Sequence, residues 1–540
     1  MKQFWSKSLA CLLCLALLAG MLPVAALAAQ DTHQPETYAG PTEPGWQGAG
    51  TENDPYQIST LADLAALRDA VNDGNNQNGT YFKMTANIDL VSAETPWTSI
   101  GYGGKSFTGT FDGAGHTISG LYLNFSSIDT YQDQGLGLFT YVRQGGTVKN
   151  LAVEGIIDYS ERQLDLPIGG IVGKNNGGII SNCTSIVDIT GSVDSNVGGI
   201  VGSSESGTIE NCCNTGSINV TGSVDSNVGG IVGLAGNPNG RVTVTVENCE
   251  NTGNVYVTAV KSKSLIGGIV GRANGGSTVS NCRNSGDISA NKEGNSITGG
   301  IVGDNYGAIS RCNNTGAVSA DGATGGVAGQ NVCSQSGPNS IVENCYNTGA
   351  VSGSGVVGGV VGHNNNSNYY NSTVKNCYNT GKVTGTGKLG GAVGRIETGD
   401  VSDCYYLGQE GLPGIGSVTG ETGTNIIPKT AGQFASGEVA WLLQRWQNEQ
   451  VWGQQNLGDA DSLPELTSEE NYSVIQVTFK VSEEDTQPYT VYTTPGSTVT
   501  FPADPEAPEG QAFAGWYSGD TKCESGAESD VLWQVLRVDG

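Results

Sequence analysis

The chain has 540 residues, of which 83 are glycine and only 14% are charged. This length leaves room for two or three domains, and the glycines follow no Gly-X-Y order, which excludes collagen. The formal net charge is −27. A field of this sign repels nucleic acid and anionic membrane surfaces, so we expect no nucleic-acid partner.

The first 28 residues have the three parts of a secretory signal peptide. Lys2 and Lys7 form a basic start, Leu9 to Leu22 is an apolar run, and Ala26-Leu27-Ala28 is a small-residue cleavage site. The run is too short to span a bilayer. We predict an exported chain, secreted or held at the cell surface by an anchor not visible here, without membrane insertion of the mature chain. Residues 29–50, rich in Pro, Gly and Thr, are predicted to be a linker.

A repeat occupies the middle of the chain, and we assign eight units to residues 166–408. GGIVG or a close variant begins each unit, at Gly169, Gly198, Gly229, Gly267, Gly299, Gly325, Gly358 and Gly390. One cysteine follows in each unit: Cys183, Cys212, Cys249, Cys282, Cys312, Cys345, Cys377 and Cys404. Ile or Val stands three residues before every cysteine. Asparagine stands two residues after six of them: Asn214, Asn251, Asn284, Asn314, Asn347 and Asn379.

The pattern around each cysteine predicts a short apolar strand, an Asn-Thr-Gly turn and another short strand. Asn and Gly tolerate the left-handed backbone of a tight corner. One unit cannot bury both faces of such strands, but stacked units can, so a period of about thirty residues predicts an all-β solenoid. A propeller blade needs about forty residues, and disorder does not explain apolar residues at fixed offsets.

The repeated text GGIVG…NCYNTG resembles the GLUG motif of bacterial secreted and surface proteins. The upstream text, from GTENDPYQIS to GTVKNLAV, resembles the block that precedes such repeats. The resemblance covers roughly residues 49–408 and implies a right-handed parallel β-helix.

Helices are predicted at both ends of the solenoid, because an uncovered last coil leaves an open sheet edge. In the segment 51–165, which we assign to the N-terminal cap and first coils, Thr60 and Asp63 predict a capping box. Four apolar residues then lie on one helical face: Leu61, Leu64, Leu67 and Val71. In the segment 409–470, assigned to a C-terminal cap or linker, a helix from Ser436 to Trp446 is predicted to close the other end.

The text changes again over residues 471–540, where alternating strands surround turn residues. FAGWY, from Phe513 to Tyr517, resembles the Listeria–Bacteroides repeat. This resemblance implies a small β-grasp-like module of surface proteins.

No catalytic or metal-binding motif is recognised. The histidines are His33, His116 and His363, and none lies in a His-Glu-x-x-His motif. We interpret His116 as structural and His363 as solvated in an Asn-rich loop. The segment Gly458 to Glu465 lacks the Gly and Glu of an EF-hand loop. On the sequence alone, charged residues show no recurrence at matching positions of neighbouring units. We predict no catalytic residue, metal or cofactor.

The recurring cysteines allow three interpretations. Zinc needs about four converging ligands, whereas one cysteine per coil forms a line. Disulfides suit an exported protein, but in-register Cβ atoms about 4.8 Å apart exceed the roughly 3.8 Å of a bridge. We therefore predict a ladder of buried free thiols, each a small hydrophobe. Cys213, Cys333 and Cys523 lie outside it and have no assigned role.

The spacing around each cysteine also predicts a corner. Residues three apart in one regular strand face opposite sides, so the preceding Ile or Val and the cysteine are both inward only if a bend separates them. We expect an asparagine beside the cysteine to mark this corner, and stacked amides to satisfy backbone groups there.

These features predict a non-enzymatic extracellular protein, an adhesin-like or display scaffold that binds a host, matrix or glycan ligand through solenoid loops. Two alternatives stay open: a polysaccharide lyase or hydrolase of the β-helix type, and the non-catalytic region of a larger secreted peptidase. The sequence names no ligand.

Overall fold

The structure is a computed structural model of the chain. It describes residues 45–90, 96–124, 134–193, 195–222, 226–237, 242–259, 263–290, 296–333, 339–366, 371–420, 424–481, 487–506, 513–518, 521–523, 526 and 535–539. The predicted signal peptide and residues 29–44 of the predicted linker lie outside these ranges.

A parallel β-solenoid forms most of the described chain, which confirms the predicted all-β fold class. Each strand pairs in parallel with the equivalent strand of the next unit, in register. Val246, for example, lies opposite Val279, which lies opposite Ile309. The repeated Ile, Val and Cys residues of successive coils belong to one continuous buried cluster. This packing explains the period of about thirty residues, because each unit supplies one coil.

The strands fall into five columns along the solenoid, each made of equivalent strands from successive coils. The first column is a separate eight-stranded sheet. Each of its strands ends at the first glycine of GGIVG or its variant. Its strands are Ile168–Gly169, Asn196–Gly198, Asn227–Gly229, Leu265–Gly267, Ile297–Gly299, Ala323–Gly325, Val356–Gly358 and Lys388–Gly390. The second column comprises Phe139–Arg143, Val172–Ser181, Val201–Glu210, Val232–Ala235, Val270–Ala273, Val302–Asn305, Ala328–Val332, Val361–Asn365, Val393–Ile396 and Ile415–Val418.

The third column lies before the repeat cysteines in the chain, and the fourth and fifth columns lie after them. The third comprises Tyr56–Ile58, Tyr81–Met84, Thr110–Asp112, Thr147–Lys149, the C-terminal ends of the long strands Val172–Ser181 and Val201–Glu210, Val244–Glu247, Thr278–Ser280, Ala308–Ser310, Ser340–Glu343, Ser372–Lys375 and Asp400–Leu407. The fourth comprises Cys213–Asn214, Glu250–Asn251, Arg283–Asn284, Asn313–Asn314, Tyr346–Asn347, Tyr378–Asn379 and Thr424–Lys429. The fifth comprises Ile88–Asp89, Thr117–Leu123, Ala152–Leu164, Thr184–Val193, Ile218–Gly222, Val255–Ala259, Ile288–Ala290, Val318–Ser319, Val351–Gly353 and Val383–Gly385.

Helix α1, Leu61–Asn72, lies at the N-terminal end of the solenoid. Thr60 accepts a hydrogen bond from the backbone of Asp63, whose side chain accepts one from the backbone of Thr60. Leu64, Leu67 and Val71 are buried in the same cluster as the first coils. Leu61, which the sequence places on this face, is instead 36% exposed, because it occupies the first helical position, beyond the edge of the contact.

The C-terminal helical segment does not close the far end as predicted. It contains α2, Ala431–Ala435, and α3, Glu438–Gln444, separated at Gly437, whose φ is +93°. The short strands Trp452–Gly453 and Glu465–Leu466 follow. We call residues 430–466 the strap, because this segment runs along the side of the solenoid.

The strap contacts several successive coils. Tyr378 donates its hydroxyl to the Pro464 carbonyl at 2.7 Å. Trp452 donates Nε1 to the Asn344 side chain at 3.1 Å. The strap packs against tyrosines that occupy the position after the cysteine in the last three units: Tyr346, Tyr378 and Tyr405. Outward aromatic side chains at this position form an apolar stripe that the strap covers, which is why it lies on the side of the solenoid.

A five-stranded sheet ends the described chain. After a 3-10 turn at Glu470–Tyr472, its strands in spatial order are Tyr489–Thr493, Ile475–Lys480, Val535–Asp539, Phe513–Ser518 and Thr521–Cys523. One neighbouring pair is parallel and the others are antiparallel. Val477, Phe479, Val499 and Trp516 form its core. The resemblance to a β-grasp-like module stays a prediction.

Candidate functional site

The eight repeat cysteines form a buried line, and all of them are free thiols. Each Sγ lies 3.1 to 3.3 Å from the carbonyl oxygen two residues earlier. Some thiols also accept a hydrogen bond from the backbone of the cysteine in the preceding coil. The Cys282 amide, for example, donates to Cys312 Sγ at 3.4 Å. Burial raises the pKa of the Cys212 and Cys249 thiols, so the reactive thiolate is disfavoured there.

A corner lies directly before each cysteine. Asn182, for example, has a φ of +52°, which allows Ile180 and Cys183 both to be buried. The equivalent left-handed residues are Asn211, Asn248, Asn281, Arg311, Asn344, Asn376 and Asp403. Asn and Asp adopt this conformation more readily than most residues. The corner therefore explains why inward side chains can be spaced three apart.

Thiol accounting tests this arrangement directly. We expect denaturing titration of the exported protein, without reductant, to detect all eight ladder thiols, because burial and in-register geometry both oppose oxidation. The matched measurement under native conditions should label few of them. Eight oxidised cysteines under denaturation would contradict the ladder.

The six asparagines predicted as turn residues form a second buried line. Each of the first five donates Nδ2 to the Oδ1 of the asparagine in the next coil at 2.7 to 2.8 Å, and the last, Asn379, donates to the Gly391 carbonyl at 3.1 Å. All six Nδ2 atoms also donate to the carbonyl of the glycine two residues later at 2.8 to 2.9 Å. The amide ladder therefore satisfies buried groups between coils, as polar groups in a core require.

Glycines around the amide ladder are needed because neighbouring coils approach so closely there that a Cβ atom would not fit. A Cβ on Gly300, the second glycine of one GGIVG, would lie 2.4 Å from Asn314 Cγ and 2.2 Å from the Gly326 oxygen. A Cβ on Gly253, in an Asn-Thr-Gly step, would lie 2.0 Å from the Gly216 oxygen. The prediction that Asn-Thr-Gly supplies the left-handed corner is wrong, because the positive φ falls on the residue before the cysteine.

A third line was not predicted and lies on the outer side of the second column. We define the outer column as the residue after the Val-Gly or Ala-Gly step of each unit: Lys174, Ser203, Leu234, Arg272, Asp304, Gln330, His363 and Arg395. These residues are in register from coil to coil. Charged residues do therefore occupy matching positions in neighbouring coils, contrary to the expectation from the sequence.

The two ends of the outer column are neutralised by acidic side chains. Lys174 pairs with Glu205 at 2.9 Å, and Arg395 pairs with Glu397. His363 lies in a strand with its side chain only 15% exposed, 3.6 Å from Glu397, so its predicted solvated position is wrong. Burial lowers the pKa of His363, and Glu397 opposes this shift.

Asp304 occupies the middle of the outer column and is 1% exposed. Its Oδ1 has no hydrogen-bond partner among the described residues. Burial raises the pKa of the Asp304 carboxyl, while Arg272 and Lys263 act in the opposite direction. A buried carboxylate with an unpaired oxygen is costly, and such groups concentrate at functional sites.

The substitution Asp304→Asn tests this environment. Because the folded-state pKa is raised, the folded protein loses stability as pH rises through the window above about 3.9. An amide cannot ionise, so we expect the variant to have a higher Tm at pH 7 and no advantage below that window. Asp459→Asn, at an exposed carboxylate, is the control. An unchanged Tm difference across the pH range would contradict the assignment.

Other candidates from the sequence have structural surroundings. His116 Nδ1 lies 3.2 Å from the Asn87 side chain in an early coil. Cys333 is buried and contacts Ser340, Cys523 is partly exposed, and Cys213 is buried in the fourth column. Within the described ranges, no group of three or more His, Cys, Asp or Glu is placed to hold a metal. None of the helices in those ranges is long and apolar enough to cross a bilayer.

The chain thus has a parallel β-solenoid with an internal amide and thiol register. Two parts of it, residues 263–289 and 353–384, match the family described as the GLUG motif. These segments support the resemblance found in the repeats.

Two curated proteins share part of the sequence. Halomucin of Haloquadratum walsbyi is 30% identical over 158 residues, which is 27% of this chain and 2% of halomucin. A protein of Evansella cellulosilytica, described as a candidate Gly-rich membrane protein, is 31% identical over 139 residues. This alignment spans 25% of the chain and 15% of that relative. The chain therefore aligns with only a small part of either protein.

Two solved structures are also similar. One is described as a candidate immunoglobulin A1 protease from Bacteroides ovatus, with 18% identity and a TM-score of 0.32, covering 78% of this chain and 95% of that one. The other is described as an IgA1 protease, with 16% identity and a TM-score of 0.34, covering 61% of this chain and 23% of that one. We draw no conclusion about activity from similarity at this level.

Proposed function

We propose that this chain is a non-enzymatic extracellular scaffold whose solenoid presents a ligand-binding outer surface. One observation supports this most: the recurring Cys and Asn side chains are buried in ladders between coils. The recurring cysteines and asparagines therefore hold successive coils in register. The outer column, by contrast, varies in residue type from coil to coil. Its partly exposed members are available for recognition: Lys174, Leu234, Arg272, Gln330, His363 and Arg395.

Two further features support an extracellular location. The predicted signal peptide would export the chain, and one curated relative is described as a candidate membrane protein. The composition also suits an exposed, soluble surface, since the formal net charge is −27.

A binding array of glycans and extracellular matrix proteins tests the proposal. We expect the purified chain to bind at least one glycan or matrix protein saturably, without consuming it. The control is a chain whose solenoid is unfolded by Gly300→Ala, which should lose the signal. Formation of cleavage products from a bound polysaccharide would contradict the non-enzymatic role.

A further inference from the structure

The outward side chains of the fifth column form a line that contains no Asp, Glu, Lys, Arg or His. Along these strands outward side chains alternate with buried apolar ones, as where the buried Val255 and Val257 flank the exposed Tyr256. The strand register brings one outward side chain from each of several successive coils into line. We call this line the neutral row: Thr190, Asn219, Tyr256, Ser289, Ser319, Ser352 and Thr384. All of its members are partly or fully exposed.

Tyr256 places an aromatic ring in the neutral row. It is 44% exposed, whereas Tyr346 and Tyr378 pack beneath the strap. Asn219 lies opposite Tyr256 in the preceding coil, and Ser289 lies opposite it in the next. A tyrosine ring offers a rigid apolar face at little cost in conformational entropy. The row therefore presents this ring with a hydrogen-bonding side chain about 4.8 Å away on either side.

The polar members of the row can both donate and accept hydrogen bonds, because they are hydroxyl and amide groups. Within the described ranges, one hydrogen bond joins two of them, from Ser352 Oγ to Ser319 Oγ at 3.1 Å. Thr221 and Thr258 lie opposite each other two residues further along the strands. They add partly exposed hydroxyl groups to the same face of the sheet.

The charge of this surface favours a neutral ligand. The formal net charge of −27 opposes an anionic polymer, and the row offers no carboxylate to a cationic one. The nearby Asp287 accepts a hydrogen bond from the Ala317 amide at 2.9 Å, so this carboxylate already has a partner. A sugar ring combines an apolar C–H face, which packs on an aromatic ring, with hydroxyl groups around its edge. This combination matches Tyr256 and its polar neighbours.

The spacing of the coils adds a constraint on the shape of the ligand. Successive coils are about 4.8 Å apart, and an extended β-1,4-linked pyranose chain advances by a similar distance per sugar. Successive sugars of such a chain can therefore meet successive members of the neutral row. A coiled α-1,4-linked chain does not keep this alignment.

We propose that the neutral row binds an uncharged, extended β-1,4-linked polysaccharide, with Tyr256 at the centre of the site. One sugar packs its C–H face on the Tyr256 ring, and hydroxyl groups of the chain form hydrogen bonds with Asn219 and Ser289. This inference rests on the proposed scaffold function, because it names the class of ligand that the solenoid holds. It assigns that ligand to the fifth column and not to the charged outer column.

Calorimetric titration of the full chain with three hexasaccharides tests the ligand class. Cellohexaose and mannohexaose are β-1,4-linked, and maltohexaose is the α-1,4-linked control. We expect at least one β-linked probe to bind with an affinity that does not change with salt, because no charge is paired. Maltohexaose should bind at least about tenfold more weakly. Equal affinity for maltohexaose, or loss of binding at high salt, would overturn the proposal.

Variants of exposed residues localise the binding. We expect Tyr256→Ala to weaken binding of the β-linked probe at least about tenfold and Asn219→Ala to weaken it about threefold. Both positions are exposed, so Tm should stay close to that of the parent chain. Tyr489→Ala is the matched control, since Tyr489 is 54% exposed in the C-terminal sheet, and it should leave affinity unchanged. Unchanged affinity in Tyr256→Ala, or equal loss in Tyr489→Ala, would overturn the site.

Two results separate this inference from the broader proposal. Binding of a matrix protein on the array, with no binding of either β-linked hexasaccharide, would overturn the neutral-row site and leave the scaffold function standing. Cleavage of a β-linked hexasaccharide by the chain would overturn the scaffold function even if Tyr256→Ala weakened binding.

Discussion

Replacing Asn314 by alanine should destabilise the solenoid by at least about 3 kcal/mol, since three buried polar groups would each lose a partner and each loss costs about 1–3 kcal/mol. Asn284 Nδ2 would lose its acceptor, Asn347 Oδ1 its donor, and the Gly316 carbonyl its donor. All three lie between coils, where water cannot replace them without opening the stack. The measurement is the urea midpoint of unfolding, with the β-sheet circular dichroism signal as the probe of the folded state.

Asn219→Ala provides the matched control for the amide ladder. Asn219 lies in the fifth column and is exposed, so its removal should change stability by no more than about 0.5 kcal/mol. Similar unfolding midpoints for the two variants would contradict the structural importance of the amide ladder.

Replacing Gly300 by alanine should also have a large effect, of at least about 4 kcal/mol, because overlap with fixed backbone cannot be relieved by a rotamer change. The new Cβ would meet the Gly326 carbonyl oxygen at 2.2 Å and the Asn314 side chain. Both belong to the stack itself, so relief requires that adjacent coils separate. We expect the variant to lose cooperative thermal unfolding and to become sensitive to limited proteolysis within the repeats.

Gly408→Ala provides the control for this substitution. The atom nearest to the added methyl group, the Lys429 oxygen, would be 3.7 Å away, an ordinary contact distance. We expect a Tm close to that of the parent chain. A folded and equally stable Gly300→Ala variant would show that the coils are not stacked as closely as described.

The solenoid could be predicted because its determinants repeat. A cysteine follows the first glycine of each GGIVG or its variant after 13 to 20 residues, an asparagine stands two residues after six of the eight cysteines, and stacking is the arrangement that buries them all. The parity of Ile180 and Cys183 also required a bend between them. We expected an asparagine beside the cysteine to mark that bend, and the positive φ of Asn182 and its equivalents confirms this, although Arg311 and Asp403 take the position in two units.

The outer column, by contrast, was missed. Its position after Val-Gly is visible in the sequence, but its residue types differ in almost every unit, from Lys174 through Asp304 to His363. A search for recurring residue types cannot detect a line that is defined only by coil register. Only the register between neighbouring strands places Arg272 opposite Asp304.

The strap was recognised as an element but placed incorrectly. Val439, Leu443 and Trp452 form an apolar face, and an apolar face near the end of a solenoid is typical of a cap. The sequence did contain a contrary signal, since Tyr346, Tyr378 and Tyr405 follow the cysteine in three successive units. Tyr346 and Tyr378 stack with ring centroids 5.0 Å apart, and this outward stripe determines where the strap packs.

The proposed scaffold binds its ligand without converting it, and a turnover assay tests this property most directly. The purified full chain is incubated with polygalacturonate, heparin and a panel of neutral polysaccharides, and new reducing ends and unsaturated products are measured. We predict no product above the level of a heat-unfolded control. Product formation that is lost in Asp304→Asn or Arg272→Gln would contradict the scaffold role and identify the outer column as a catalytic site.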